Sequence, residues 1–239
     1  MKSTYFISDA HIGTPEKKLE ALKEQKLLSF LEYVGENGQR LFIVGDLFDF
    51  WFEYKTVIPR GYTSILYSLW RLKNVGVELH YLAGNHDFWM QDYLSKELGV
   101  RLHFDELDYT INNKRFYIFH GDGLARNDHG YRLIKKIFRN RVNIFLYSLL
   151  HPNIGIPLAK WVSSLSRQHT QKVLPPSDDD YIKMARQKFD EGYDYAIFGH
   201  LHSPRYEQFS GKVYINLGDW IKHFSYAVYD GNEIKLLNW

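Results

Sequence analysis

The fold class that the sequence predicts is α/β. Short apolar runs, rich in β-branched and aromatic residues, alternate with longer segments of helical periodicity, and this alternation is typical of α/β proteins. The predicted strands cover residues 4–8, 40–44, 77–83, 115–119 and 195–198. With 239 residues, 45% of them hydrophobic, the chain is long and apolar enough to bury a core of its own, so we expect a single domain over 1–239.

Helices are predicted between these strands, and further strands after them. A helix between the first two strands is indicated by four apolar residues at the spacing of one helix face, namely Leu27, Phe30, Leu31 and Val34. Two more helices are predicted over 62–73 and 89–98. Three consecutive strands with turn residues between them follow at 212–217, 225–229 and 233–237, so we expect the chain to end in a β-meander.

The composition excludes several classes of protein. The chain has no Cys, which excludes disulfide frameworks, thiolate nucleophiles and Cys-ligated zinc. Its first residues pass directly into a β-rich run, and no apolar run approaches the roughly 20 residues that span a bilayer. We therefore expect a cytoplasmic protein without a secretory signal.

The net charge of +2 hides a strong segregation of charge. The segment 129–177 contains eight basic residues and no Asp or Glu, whereas the rest of the chain has 22 basic and 28 acidic residues. Apolar residues in this segment recur mostly at helical spacing, which predicts a basic amphipathic helical insertion, followed by a helix that starts at Ser177-Asp178. Such an insertion fits an anionic lipid surface, where each Lys or Arg contributes about 1 kcal/mol. An ordinary solvated helical hairpin is the alternative.

Each of the five predicted strands ends in a cluster of side chains that bind metals or transfer protons. The clusters are Asp9-Ala10-His11, Gly45-Asp46-Leu47-Phe48-Asp49, Gly84-Asn85-His86-Asp87, His120-Gly121-Asp122 and Gly199-His200-Leu201-His202. Because loops at the carboxyl ends of strands converge on the ligand site of an open α/β sheet, we expect these five loops to meet. Their glycines leave room where the backbone turns close to the site.

The donor types in these loops indicate a site for divalent metals. Carboxylate, imidazole and amide donors suit first-row ions such as Mn²⁺, Fe²⁺ or Zn²⁺. Two divalent ions beside Asp9 and Asp46 would leave a surplus of positive charge, which favours a bound hydroxide and a phosphate anion. Two ions about 3.5–4 Å apart can clamp both oxygens of an in-line displacement at phosphorus. The pattern therefore predicts phosphoryl chemistry.

The five clusters, in this order, resemble the motifs of the calcineurin-like metallophosphoesterase superfamily. That resemblance implies two packed β-sheets flanked by helices, an αββα sandwich, with a helical lid over 130–175. Within the superfamily the chain is most similar to the UDP-2,3-diacylglucosamine diphosphatases of lipid A biosynthesis, on the stretches 45–51, 120–131 and 217–220. One position departs from that group, which carries Arg where this chain has His86.

The resemblance also implies two sets of metal ligands that share one carboxylate. The first set is Asp9, His11, Asp46 and His202. The second set is Asp46, Asn85, His120 and His200. Asp46 would bridge the two ions, which are expected to be Mn²⁺.

The same resemblance implies catalytic and substrate-binding roles. His86 would contact the phosphate and assist the leaving oxygen, steered by Asp49. The implied substrate contacts are Asn85, His86, Asp128, Tyr131, Arg167 and Lys172. Asp87 and Asp122 are expected to orient loops or imidazole ligands.

The implied activity is hydrolysis of the pyrophosphate of UDP-2,3-diacylglucosamine to UMP and 2,3-diacylglucosamine 1-phosphate. The expected partners are this lipid and the anionic cytoplasmic face of the inner membrane, with peripheral attachment through the lid. No nucleic acid and no obligate protein partner is expected. Two other functions stay open: a phosphodiesterase or nuclease of the same superfamily, whose basic surface would follow nucleic acid, and a metal-free scaffold on this fold.

Overall fold

Two mixed β-sheets lie at the centre of the computed structural model, which describes residues 2–124, 129–159 and 178–239. The first sheet contains, in spatial order, β11 (Ile234–Asn238), β10 (Ser225–Tyr229), β1 (Ser3–Ile7), β2 (Gly38–Val44), β3 (Glu78–Leu82) and β4 (Arg101–His103). The second contains β5 (Leu107–Ile111), β6 (Lys114–Phe119), β7 (Tyr195–Phe198), β9 (Lys212–Asn216) and β8 (Arg205–Phe209). Strands β1 to β4 are parallel, as are β6, β7 and β9, so the α/β prediction is confirmed.

The helices are α1 (Lys17–Asn37), α2 (Thr63–Asn74), α3 (Tyr93–Lys96), α4 (His129–Phe138), α5 (Arg141–Ser148), α6 (152–159) and α7 (Asp179–Asp190). Helices α1 and α2 cover the outer face of the first sheet and α7 covers that of the second, whereas α5 and α6 pack on Phe50 and Phe52 in the loop after β2. The predicted apolar face of α1 is confirmed, because all four of its residues are buried. Among the residues described, no helix combines the length and the apolar character needed to cross a bilayer.

Side-chain alternation along the strands separates three apolar layers. In β1, Tyr5 and Ile7 pack against α1 and α2, while Phe6 between them packs against the second sheet. In β7, Ile197 lies between the sheets and Phe198 packs against α7. The order of layers is therefore helices, sheet, sheet and helix, as the resemblance implies.

The third predicted helix is much shorter than residues 89–98. Its first residues are held in extended backbone, because Trp89 forms a β-bridge with Phe52. The carboxylate of Glu53 then accepts the backbone N–H groups of Gln91 and Tyr93 at 2.8 and 3.1 Å. These contacts delay the start of α3 to Tyr93.

The predicted β-meander at the end of the chain is wrong. Strand β9 belongs to the second sheet, whereas β10 and β11 belong to the first, where β10 pairs with β1. Apolar residues of both β9 and β10 fill the space between the sheets, so the pattern of each strand is compatible with either sheet. Three strands were not predicted, namely β4, β5 and β8. All three lie at sheet edges and expose polar side chains that interrupt the apolar pattern.

The parallel strands of the two sheets bring their following loops together. The backbone N–H of Asp9 donates to the carbonyl of Gly45 at 3.1 Å, and the N–H of Gly199 donates to the carbonyl of His120 at 3.1 Å. The two pairs of loops are joined where the N–H of His200 donates to the Asp9 carboxylate at 2.8 Å. The expected convergence of the motif loops therefore follows from the topology.

A buried charge in α1 supports the first of these loops. Lys23 is fully buried, and its Nζ donates to the carbonyl oxygen of His11 at 2.6 Å. Its charge is paired with the carboxylate of Glu20 at 3.0 Å, and Glu20 in turn accepts the N–H groups of Gly13 and Thr14 at 2.6 and 3.2 Å. This ion pair connects the helix to the backbone of the loop.

Replacing Lys23 by Met should lower the free energy of unfolding by about 2–3 kcal/mol, because the His11 carbonyl loses a charged donor and Glu20 loses its counterion. Urea titration at pH 7.5 measures the loss. Lys18→Met, at an exposed position of the same helix, is the matched control and should stay within about 0.5 kcal/mol of the wild type. Equal stability of the two variants would contradict this role for Lys23.

Stability should also fall in mild acid because of a buried histidine in β3. Burial lowers the pKa of His80 to about 4, and its ring stacks on Phe42 with Nδ1 3.0 Å from Nε2 of His103. The unfolded chain binds a proton at this residue below about pH 6.5, whereas the folded chain binds it only near pH 4. The urea midpoint should therefore drop between pH 6.5 and 4 in the wild type and drop less in His80→Phe. Parallel curves for the two proteins would refute the assignment.

Candidate metal centre

The structure brings all seven predicted metal-ligand side chains to the ends of β1, β2, β3, β6 and β7. Three groups of donor atoms close enough to hold a cation are found among the described residues. They are Asp9, His11 and His202; His11, Asp46 and His86; and Asp46, His120 and His200. Two of them lie within the ligand sets that the resemblance implies. The group of Asp9, His11 and His202 is called the first group below, and the group of Asp46, His120 and His200 is called the second group.

The first group is built on the loops after β1 and β7. Nε2 of His202 lies 3.3 Å from Oδ1 of Asp9 and 3.3 Å from Nε2 of His11. Nε2 of His11 lies 3.6 Å from the same Asp9 oxygen and 3.7 Å from Oδ2 of Asp46. Asp46 thus faces the first group as well as the second.

The second group is built on the loops after β2, β3, β6 and β7. Nε2 of His120 lies 3.4 Å from Oδ2 of Asp46 and 3.2 Å from the amide oxygen of Asn85. Nδ1 of His120 donates to the carbonyl of Val44 at 2.9 Å, so Nε2 is the nitrogen that faces the site. His200 completes the group.

The carboxylates of Asp9 and Asp46, the two acidic candidate ligands, each have one oxygen bound to a backbone N–H group and one oxygen that faces the site. Oδ2 of Asp9 accepts the N–H of His200, and Oδ1 of Asp46 accepts the N–H of His86, both at 2.8 Å. Oδ1 of Asp9 is buried and accepts no hydrogen bond. A divalent cation would satisfy this oxygen, so the donor set fits the metal that the sequence implies.

The backbone at five of the seven residues is in the left-handed region. The φ angles are 56° at Asp9, 44° at His11, 53° at Asp46, 70° at His200 and 55° at His202. Asp and His tolerate this region better than most residues, but each such position still costs on the order of 1–3 kcal/mol. The clustering of this strain in one place indicates a functional site.

Glycine is required where two of the loops touch. A Cβ at Gly45 would collide with the imidazole of His120, and a Cβ at Gly84 would collide with the carboxylate of Asp46. Close approach, rather than turn geometry alone, therefore explains these two glycines.

The histidines hold the two carboxylates ionised. Burial alone would raise the pKa of Asp9, but His202, His11 and His120 keep it well below its ordinary value. Burial is likewise outweighed at Asp46, where His120 and His86 lower the pKa. The site therefore presents two carboxylate anions to any cation that enters.

The imidazoles of the second group respond in opposite directions. Burial lowers the pKa of His200 to about 4, which leaves this ring neutral. Burial also acts against a proton on His120, but the adjacent Asp46 raises the pKa of that ring to about 10. A metal ion bound beside Asp46 would replace the proton of His120, so metal uptake is expected to release protons.

His86 lies beside both groups, and its ring is held by the loop after β2. Nδ1 of His86 lies 3.0 Å from the carbonyl oxygen of Asp49, and its ring packs edge-on against His11 at 4.7 Å. The carboxylate of Asp49 is buried, with Oδ1 3.9 Å from Nδ1 of His11. Asp49 thus lies next to both rings, with its backbone carbonyl at His86 and its carboxylate near His11.

Two further acidic residues of the motifs are bound by groups outside the candidate ligand sets. Asp87 accepts the N–H of Gly84 at 2.9 Å and the hydroxyl of Tyr81, and burial raises its pKa to about 6. Asp122 pairs with Lys135 of α4 at 2.7 Å and with Arg139 at 3.6 Å. Both contacts suit residues that orient loops.

The predicted substrate contacts are described only in part. Asp128, Arg167 and Lys172 lie outside the described residues, and Tyr131 lies within α4. Asn85 and His86 lie at the site itself.

A sixth loop also reaches the site; the sequence interpretation used its residues 217–220 for the family resemblance but gave them no role at the site. Strand β9 is parallel to β7, and the loop after it places Oδ2 of Asp219 3.9 Å from Nδ1 of His202. The signal was present in the sequence, because Gly218-Asp219 follows a predicted strand as Gly45-Asp46 does.

Comparison with known proteins agrees with this geometry. The sequence profile described as "Calcineurin-like phosphoesterase" matches residues 3–204. Two proteins named UDP-2,3-diacylglucosamine hydrolase are similar: one from Porphyromonas gingivalis, 35% identical over 97% of this chain and 95% of the relative, and one from Haemophilus influenzae, 30% identical over 94% and 93%. A solved structure described as a novel archaeal phosphodiesterase has a TM-score of 0.50 at 14% identity over 98% of both chains, which concerns the fold alone. The chain therefore belongs to the calcineurin-like phosphoesterases and is a metal-dependent hydrolase.

Proposed function

We propose that this protein hydrolyses the pyrophosphate bond of UDP-2,3-diacylglucosamine, with two divalent metal ions, Mn²⁺ foremost, to give UMP and 2,3-diacylglucosamine 1-phosphate. The observation that carries the proposal is the position of Oδ2 of Asp46 between the two donor groups, 3.7 Å from His11 of the first and 3.4 Å from His120 of the second. The names of the similar proteins from Porphyromonas gingivalis and Haemophilus influenzae supply the substrate.

The proposed ligand sets follow the two groups. Asp9, His11, Asp46 and His202 would hold one ion. Asp46, Asn85, His120 and His200 would hold the other. Two ions in such a site supply a nucleophile at neutral pH and neutralise charge that develops at phosphorus.

The protein's own part in the reaction falls to His86 and Asp49. The Asp49 carbonyl, 3.0 Å from Nδ1 of His86, fixes the orientation of the ring, so we take Nε2 as the nitrogen that meets the substrate. We assign to Nε2 of His86 a contact with the phosphate and the transfer of a proton to the leaving oxygen. Asn85, whose amide oxygen lies 3.2 Å from His120, would bind the phosphate from the other side.

The lid offers an exposed apolar surface for the acyl chains. Large apolar side chains on α5 and α6 are between about two-fifths and two-thirds exposed, namely Val142, Phe145, Leu146, Leu149, Ile154 and Leu158. Aromatic residues join the lid to the body near the site, since the ring of Tyr147 stacks on Trp89 at 5.3 Å and packs on Phe52 at 4.6 Å. An apolar surface connected to the metal loops suits a substrate with a polar pyrophosphate and two acyl chains.

We further propose that the lid attaches the protein to an anionic membrane surface. Lys136 and Arg141 are exposed beside the apolar residues of α4 and α5, which is the arrangement of an interfacial helix. Asp128, Tyr131, Arg167 and Lys172 would contact the substrate from the lid, which we place at 130–175 within a single domain.

The purified protein with Mn²⁺ should release UMP from UDP-2,3-diacylglucosamine in mixed micelles, as measured by ³¹P NMR. Chelation with EDTA should abolish the activity, and Asp46→Asn should lower turnover at least about 100-fold, because the shared carboxylate is lost. Asp230→Asn, in the turn between β10 and β11, is the matched control and should leave turnover unchanged.

Two results would contradict the proposal. An intact lipid substrate together with hydrolysis of other phosphodiesters or of nucleic acid would assign a different substrate to the same centre. A purified protein that binds no divalent ion would mark the fold as a scaffold.

The double variant Phe145→Ser, Leu149→Ser should raise KM for the diacyl substrate at least about tenfold, because each apolar side chain contributes roughly 1.5–3 kcal/mol when buried. Hydrolysis of bis(p-nitrophenyl) phosphate, which has no acyl chains, should not change. The matched control is Tyr67→Ser, Trp70→Ser, which removes two similarly exposed side chains from α2. A loss of activity toward both substrates would indicate damage to the metal centre instead.

A further inference from the structure

We infer that Asp219 is a positioning residue of the metal centre, acting through the imidazole of His202. The inference rests on the proposed function, because it takes His202 as a metal ligand. It concerns a residue that the five motif loops do not include.

Asp219 lies in a loop that is fixed to two of the metal loops. The N–H of Trp220 donates to the carbonyl oxygen of Asp9 at 3.1 Å. The side-chain amide of Asn216, at the end of β9, donates to the carbonyl oxygen of Gly199 at 3.0 Å. Asp219 therefore holds a defined place relative to both Asp9 and His202.

The two oxygens of the Asp219 carboxylate have different partners. Oδ1 accepts the backbone N–H groups of Ile221, Lys222 and His223 at 2.9, 2.7 and 3.1 Å and so holds the turn. Oδ2 faces two imidazoles, with Nδ1 of His223 at 3.1 Å and Nδ1 of His202 at 3.9 Å. The turn thus anchors the carboxylate, and its second oxygen is directed at the rings.

The two rings are much more exposed than the carboxylate between them. The side chain of Asp219 is 3% exposed, whereas those of His202 and His223 are 37% and 41% exposed. Packing therefore restrains His202 less than it restrains His120, whose side chain is fully buried. An anchored carboxylate beside Nδ1 supplies the restraint that packing does not.

The two nitrogens of His202 face different carboxylates. Nε2 lies 3.3 Å from Oδ1 of Asp9, on the side of the proposed cation, and Nδ1 lies 3.9 Å from Oδ2 of Asp219. An imidazole that binds a cation through Nε2 carries its proton on Nδ1, so in the loaded site the N–H of His202 would lie beside the Asp219 carboxylate. The N–H of His120 lies likewise beside the Val44 carbonyl, at 2.9 Å.

Asp219→Asn tests this role with little change of shape. Asn keeps an oxygen for the turn but places an NH₂ group where Oδ2 faces the rings, so the N–H of a cation-bound His202 loses its carboxylate neighbour. The affinity for Mn²⁺, measured by isothermal titration calorimetry, should fall about 10- to 100-fold at one of the two ions. In the protein loaded with diamagnetic Zn²⁺, ¹H–¹⁵N NMR should show the Nδ1–H resonance of His202 moving upfield in the variant. A purely structural role would lower the Tm and move neither quantity.

Two control variants separate the carboxylate from its surroundings. Asp230→Asn makes the same change in a similar turn, where Oδ1 accepts the N–H groups of Asn232 and Glu233, both at 2.9 Å, and it should bind Mn²⁺ as the wild type does. His223→Gln removes the other imidazole that faces Oδ2, and it should not weaken Mn²⁺ binding.

The outcomes distinguish the inference from the proposed function. Wild-type Mn²⁺ affinity and an unchanged Nδ1–H resonance of His202 in Asp219→Asn would overturn the inference alone. If that variant does not fold, the Zn²⁺-loaded wild type decides: a downfield Nδ1–H of His202 that is protected from solvent exchange supports the inference, and one that exchanges as fast as a solvated imidazole overturns it. A wild-type protein that takes up no divalent ion overturns the proposed function and this inference together.

Discussion

The burial of two ionised carboxylates, Asp9 and Asp46, is the constraint on which the rest of the site depends. Both are almost fully buried where the loops of the two sheets meet. An ionised carboxylate in such a place costs several kcal/mol unless donors and positive charge surround it. Backbone N–H groups of His200 and His86 satisfy one oxygen of each, and imidazoles face the other. Oδ1 of Asp9 still accepts no hydrogen bond, and a divalent cation would complete the compensation there.

The same arrangement explains why the loops adopt strained backbone. An N–H group can point at a carboxylate two loops away only if the chain turns sharply at the strand end, and five candidate ligands do so with positive φ. Contacts from outside hold these turns, among them the Lys23 ammonium on the His11 carbonyl and the Trp220 N–H on the Asp9 carbonyl. Part of the stability of the fold is therefore used to hold the donors in place.

Part of the positive charge of the segment 129–177 is paired with an acidic residue next to the site. Two basic residues of the insertion, Lys135 and Arg139, pair with Asp122, which follows the candidate ligand His120 by two positions. These contacts join α4, which belongs to the proposed lid, to the loop that carries the candidate ligand His120. The remaining basic and apolar residues of α5 stay at the surface, where the proposed lipid would meet them.

The sequence by itself determined the α/β class, the central strands and the five clusters of candidate donors, and the family resemblance selected seven ligands among those donors. The strands and clusters can be predicted because a buried parallel strand is continuously apolar and its donors follow directly along the chain. Tertiary structure alone decided the sheet to which β10 belongs, the three edge strands, the late start of α3 and the approach of Asp219 to His202. Each depends on partners distant in sequence: β10 on β1, α3 on Glu53, and Asp219 on a loop seventeen residues earlier. The local sequence pattern indicates which side chains are buried, but the partner of each strand and side chain depends on residues that only the folded chain brings together.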